Sequence, residues 1–218
     1  MKKKFLIPGL VGVVLFIVFT ILVCTVDRQA IGLNGTMVGF ATMNKWFQDL
    51  HPANITLYKV SDWMSLAPIA SGLVFAVIGI IQWVQRKKLR RVDFNLIALG
   101  ILYIVLFIFF IVFKYIPINY RPVFAEPGKL ETSYPSSTTL LSIGFLVAGI
   151  INNYVYIDKK PVAHAISGVE LALMIFLVVS RIISRVHWLS DIIASLILGV
   201  SVSLIYISVF QIKLKDKR

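Results

Sequence analysis

The sequence is poor in the residues that usually build metal or redox centres. Of its 218 residues one is a cysteine, Cys24, set inside an apolar run, so neither an internal disulfide nor a cysteine-based metal site is available. The three histidines, His51, His164 and His187, are too far apart in the chain to match a metal-ligand spacing, and no metal or other cofactor is expected. Ten acidic residues stand against 22 basic ones, and charged residues make up only 15% of the chain. No low-complexity stretch, soluble domain or internal repeat is present, which argues against a transporter built from paired halves.

What is abundant is apolar side chain. The chain is 58% hydrophobic, with a mean hydropathy of +0.87. A water-soluble domain of this length has no interior large enough to hide so much apolar surface, so the class is an integral membrane protein. A net charge of +12 would suit a nucleic-acid partner only if it formed a basic face on a soluble fold. Here the basic residues come in short blocks between apolar runs, which is a topology signal; the expected partners are the bilayer and a membrane lipid, with no nucleic acid.

A hydrocarbon core about 30 Å thick needs roughly 20 apolar residues per helix. Six segments qualify, at about 5–26, 66–85, 94–113, 138–157, 161–179 and 189–212. The expected fold is therefore an all-α, six-helix transmembrane bundle forming one domain over 1–218. An outer loop covers 27–65 and an active-site loop 114–137. The first segment is too long for the apolar core of a signal peptide and lacks a clear cleavage site, so it is expected to stay as an anchor. Fourteen Lys and Arg residues (at 2–4, 86–91, 159–160 and 213–218) fall on one side and eight on the other. The positive-inside rule then places both termini in the cytoplasm of a multi-pass cell-membrane protein, with the two longer loops and the 180–188 turn outside.

The first outer loop repeats Met37, Phe40, Met43, Phe47 and Leu50 at helical spacing, beside Trp46. That pattern fits an amphipathic helix in the headgroup layer or ordinary packing on the bundle. Asn34 and Asn54 begin glycosylation sequons, a three-residue match of little weight.

Ionisable groups at membrane depth cost roughly 2.5–3.5 kcal/mol each on insertion scales, yet the stretch SRIISRVHWLSD at 180–191 carries two arginines, a histidine and an aspartate. Topology places it on the same rim as KYIPINYRP at 114–122 and YPSSTT at 134–139. Together they supply cations, one imidazole and a serine-rich helix start around one cavity. A phosphate would use each part. Lys114, Arg121 and Arg181 neutralise phosphoryl oxygens. The helix opening at Pro135-Ser136-Ser137-Thr138 offers free N–H groups, and Ser136 or Ser137 a hydroxyl. Asp191, one turn after His187, is expected to hold the Nδ1 proton and leave Nε2 as a nucleophile. Elsewhere, Arg185 and Lys129 read as snorkelling anchors, His164 as structural, and Tyr120 and Tyr134 as interfacial aromatics, lipid contacts or both. Glu170, near mid-span, has no partner apparent in the sequence; a protonated carboxyl hydrogen-bonded inside the bundle is the modest account.

These spacings resemble the PAP2 (type 2 phosphatidic acid phosphatase) superfamily of membrane lipid phosphatases. Its first signature, lysine, six residues, then Arg-Pro, matches Lys114 and Arg121-Pro122. Its third, Ser-Arg, five residues, His, three residues, Asp, matches Ser180-Arg181, His187 and Asp191. The second departs: the family reads Pro-Ser-Gly-His where this chain has Pro135-Ser136-Ser137-Thr138. The crowd of cations at the site would repel a metal ion, so the chemistry is expected to be metal-independent. The resemblance implies that His187 is transiently phosphorylated, and that the family's missing histidine is the group that protonates the leaving oxygen. Thr138 is too weak an acid for that step. The consequence is another acid or a water, a substrate such as a polyprenyl diphosphate whose leaving group needs no proton, or binding without efficient turnover. The expected function is a phosphatase for a lipid phosphate or diphosphate at the extracytoplasmic face. The rivals are a non-catalytic lipid-phosphate binding protein or carrier and a lipid phosphotransferase.

Overall fold

The computed structural model describes residues 4–216, with side chains to Phe210. Of the basic residues that set the expected orientation, Lys2, Lys3, Lys217 and Arg218 lie outside the described residues, as do the side chains of Lys213 and Lys215. The elements are α1 (Leu6–Thr25), α2 (Ala41–Asp49), α3 (Ile55–Met64), α4 (Leu66–Arg86), α5 (Phe94–Tyr115), α6 (Ser137–Tyr156), α7 (Lys160–Ser184) and α8 (Leu189–Asp216). Among the described residues six segments are long and apolar enough to cross a membrane, and the protein is a multi-pass helical bundle.

Helices α6 and α8 form the centre, each with 56% of its most apolar stretch buried, against 17–28% for the others. Small residues let these two approach: a Cβ on Gly199 would meet the Ile143 side chain at 3.1 Å. Without a hydrophobic force between helices in lipid, such close van der Waals contact and interhelical hydrogen bonds hold the bundle. Helix α1 leans on α8, where a Cβ on Gly9 would come within 3.0 Å of the Ser201 carbonyl.

Polar stitches cross the interior. Asn152 Nδ2 donates to Tyr206 Oη at 2.7 Å. Glu170, 8% exposed, accepts from Ser71 on α4 and from Asn153 Nδ2 on α6 at 2.7 Å. The partners that the sequence did not disclose come from two other helices. Gly149 makes room, since a Cβ there would lie 2.9 Å from the carboxylate. His164 is exposed and meets the Tyr154 ring edge-on, with centroids 5.3 Å apart.

The outer loop expected over 27–65 is largely helical. A helix begins at Ile55, where Asn54 caps it by accepting from Leu57 N–H. It runs on through Ser65 into α4, giving a segment of 32 residues. Helix α2 divides between both of its expected settings. Trp46, Met37 and Leu50 stay exposed, while Phe47 and Asn44 are buried against the bundle. Asn44 accepts from Ser190 N–H at 3.0 Å and so satisfies a free donor at the start of α8.

Candidate active site

The segment between α5 and α6 folds back on itself as a short antiparallel pairing. Tyr120 bridges Thr132, Arg121 N–H donates to the Glu131 carbonyl at 3.0 Å, and Ser133 N–H donates to that of Asn119 at 2.9 Å. The pairing sets Asn119 beside Ser133 and Arg121 beside Glu131. The turn between α7 and α8 closes on it, with Trp188 Nε1 donating to the Tyr120 carbonyl at 2.7 Å. Helices α2 and α3 clamp the turn from the other side: Gln48 Nε2 donates to the Arg185 carbonyl at 2.9 Å, and Asn54 N–H to that of Ser184 at 3.0 Å.

These contacts enclose a cavity of about 210 Å³ whose wall includes Lys114, Arg121, Glu131, Ser133, Ser137 and His187. Three of the residues expected to meet a phosphate therefore share one cavity with the expected nucleophile. Lys114, in the last turn of α5, is exposed at its rim.

His187 is 3% exposed. The sequence led us to expect a direct Nδ1–H bond to Asp191, but the nearest carboxylate oxygen is 4.0 Å away. Ser133 stands between them. Its hydroxyl donates to Asp191 Oδ2, and Nδ1 lies 3.1 Å from both that hydroxyl oxygen and the Ser133 carbonyl. A carbonyl only accepts, and the hydroxyl proton is committed to Asp191, so Nδ1 carries the proton and Nε2 keeps its lone pair. Asp191, fully buried, also accepts from Asn119 Nδ2 at 3.0 Å and Trp188 N–H at 3.1 Å. Burial holds the imidazole well below its ordinary pKa, the cations Arg121 and Arg181 push the same way, and the Ser133 carbonyl opposes them. At neutral pH the ring is uncharged.

Arg181 is fully buried and is not part of the cavity wall. Its Nη2 pairs with Asp62 Oδ1 on α3 at 3.1 Å. Arg121 and Arg181 both stack on Tyr58, their guanidinium carbons 4.9 and 4.8 Å from the ring centroid. Nε and Nη1 of each arginine are buried without a hydrogen-bond acceptor. Arg121 Nε has only Glu131 Oε2 nearby, at 3.3 Å. Such cations are primed for an oxyanion, because a buried donor left unmade is costly.

Other expectations need correction. Ser136 stands at the N-cap of α6, but its side chain makes no cap bond. Its hydroxyl faces Thr139 at 3.1 Å and its N–H is taken by the Asp191 carbonyl at 3.2 Å, so neither points to an anion. Ser137, half-buried, lines the cavity; Thr138, also half-buried, does not. Arg185 is buried rather than snorkelling, its guanidinium 4.5 Å from the Phe47 ring centroid. Lys129 pairs with Glu126 and Glu131, each at 3.0 Å. Tyr134 is a core residue, donating to or accepting from Thr20 at 2.7 Å and edge-on to Phe113. Sequence reasoning missed Ser133, Asn119, Asp62 and Tyr58. None stands at a motif spacing, and the one available signal was polar residues crowded beside the motifs.

A model of the PAP2 superfamily matches residues 95–215. The fold is similar to the crystal structure of a transmembrane PAP2-type phosphatidylglycerolphosphate phosphatase from Bacillus subtilis. That likeness has a TM-score of 0.56 at 15% identity, covering 97% of this chain and 98% of that one. No curated protein matches the sequence.

Proposed function

Since the chain belongs to the PAP2 superfamily, we propose that it is a phosphatase that removes phosphate from a lipid phosphate or diphosphate at the extracytoplasmic face of the membrane. The observation that carries the reading is the tautomer of His187. With Nδ1 committed to Ser133, Nε2 is the ring nitrogen left for a cavity walled by Lys114 and Arg121.

In this reading Nε2 attacks phosphorus, and an N–P bond forms as the P–O bond to the leaving group breaks. Positive charge on the ring is stabilised through Ser133 by the buried carboxylate of Asp191. Lys114 and Arg121 hold the equatorial oxygens, and Arg181, which shares the Tyr58 ring with Arg121, adds its field. Ser137 and the free N–H groups at the start of α6 supply neutral donors and the positive end of the helix dipole. Water then hydrolyses the phosphohistidine and releases phosphate. These groups supply the positive charge themselves, so chelators should leave the rate unchanged.

The leaving group decides the substrate. An alkoxide must be protonated, and Thr138 stands where the superfamily has its histidine. A diphosphate instead expels a phosphate monoester, whose second pKa is about 6, and needs no acid. We therefore favour a polyprenyl diphosphate. The test is phosphate release by purified protein from a polyprenyl diphosphate and from phosphatidate. The diphosphate should be hydrolysed faster by on the order of a hundredfold, the smaller end of what a general acid contributes. Thr138→His should narrow the gap by accelerating the monophosphate. Equal rates on both lipids would remove the basis for the diphosphate. His187→Ala should abolish release while membrane insertion persists; unchanged release by that variant refutes the mechanism.

A further inference from the structure

The cationic cavity has an apolar side. Phe109, Phe110 and Phe113 of α5 belong to its wall, and Phe109 also ends a second recess of about 450 Å³ between α1, α5 and α8. Along α5 this recess follows one face, through Phe94, Ala98, Leu102, Val105 and Phe109. At 1.5 Å per residue that face is roughly 22 Å long. Its other walls include Leu10 and Val13 of α1 and Ile205 of α8. The polar atom it could present, Tyr206 Oη, is occupied by Asn152. An aromatic collar marks the junction: Phe16 of α1 meets Phe109 edge-on at 6.3 Å and Phe113 at 5.9 Å.

Continuity singles out this recess. A comparable one of about 330 Å³ between α4 and α5 shares Ile101 with it, but includes no residue of the cationic cavity.

We propose that the α1–α5–α8 recess seats one hydrocarbon tail of the lipid whose phosphate occupies the cationic cavity, with Phe109 at the junction of head and tail. This rests on the lipid-phosphate reading above and adds a specificity site to it. The bilayer is itself apolar, so moving a tail from lipid into the recess gains little hydrophobic free energy. What the recess supplies is position. A tail held along α5 aims its phosphate at His187, and binding remote from the reacting atoms is spent on orientation. The site therefore discriminates by chain length, and it does so in kcat as well as KM.

The test uses the full chain in lipid nanodiscs with hexadecyl phosphate carrying a diazirine at the end of its tail. Photolysis should place adducts on 6–13 of α1, 94–105 of α5 and 202–209 of α8. Excess unlabelled hexadecyl phosphate should suppress them severalfold, while hexadecanol should not. Adducts scattered over all lipid-facing helices, or equal suppression by the alcohol, would mean that bulk lipid fills the recess and would overturn the proposal.

Filling the recess gives a second readout. Leu10→Trp, at a half-exposed position, and Val105→Trp should each lower kcat/KM for the long-chain phosphate about tenfold, the scale of a misfit in an apolar pocket. Butyl phosphate, too short to reach the recess, should be hydrolysed as before. Equal changes for both substrates also overturn the proposal. Correct labelling with no phosphate release, from a polyprenyl diphosphate as well as from these monophosphates, sinks the catalytic reading and leaves the tail site standing. Release with scattered labelling does the reverse.

Discussion

Ser133 changes what the histidine and aspartate of the third motif do for each other. In Ser133→Ala the carbonyl still fixes the tautomer of His187, but the path to the Asp191 carboxylate is cut. We expect kcat to fall on the order of tenfold to a hundredfold, as when the outer partner of a functional histidine is lost. Adding Asp191→Asn should cost little more, because both changes break one chain. The pH profile carries a second prediction. With the His187 pKa depressed, the nucleophile stays neutral below pH 6.5, and the acid limb of kcat/KM falls only beneath that value. Arg121→Gln removes one cation that depresses it, so the limb should move to higher pH; an unmoved or lowered limb would contradict the electrostatic account. Lys114, Arg121 and His187 were legible in the sequence because motif spacing and span topology both put them on one rim. Ser133 and Asn119 were not, because their positions exist only once the 116–136 segment pairs with itself.

At the scale of elements, helices recruit partners by burial that sequence periodicity does not encode. Glu170 illustrates it: hydropathy announces a carboxyl at mid-span, but its partners on α4 and α6 become visible only when three helices pack. Glu170→Ala removes the acceptor of the half-buried Ser71 hydroxyl and leaves Asn153 Nδ2 with only Ser167 Oγ at 3.3 Å, and should lower stability by about 1–2 kcal/mol, while Glu170→Gln should keep most of it. Thermal unfolding in detergent measures both. Their kcat should match the parent protein, since the cluster takes no part in the cationic cavity. The six apolar spans were readable from hydropathy and length. Helix α3 was not, because Lys59, Ser61 and Asp62 lower the hydropathy of the segment whose Asp62 pairs with Arg181.

For the whole molecule, the uneven distribution of lysine and arginine predicts which face the cavity opens to. The single native cysteine allows a clean check. After Cys24→Ser, an impermeant maleimide applied to intact cells should label Glu126→Cys, at an exposed position of the 116–136 segment, and should label Lys88→Cys, also exposed, only after permeabilisation. The reverse pattern would invert the bundle and move the chemistry to the cytoplasm. The Ile55–Arg86 segment, two helices joined at Ser65, has a further consequence. At 1.5 Å per residue it is a rod of about 48 Å, against a hydrocarbon slab of about 30 Å. Tyr58 and Asp62, which grip the two arginines, lie near its N-terminal end. Hosts of longer or shorter acyl chain retilt such a rod, and the swing reaches those guanidinium groups first. Activity is expected to vary with the acyl-chain length of the host bilayer, and a constant rate across hosts would count against this coupling.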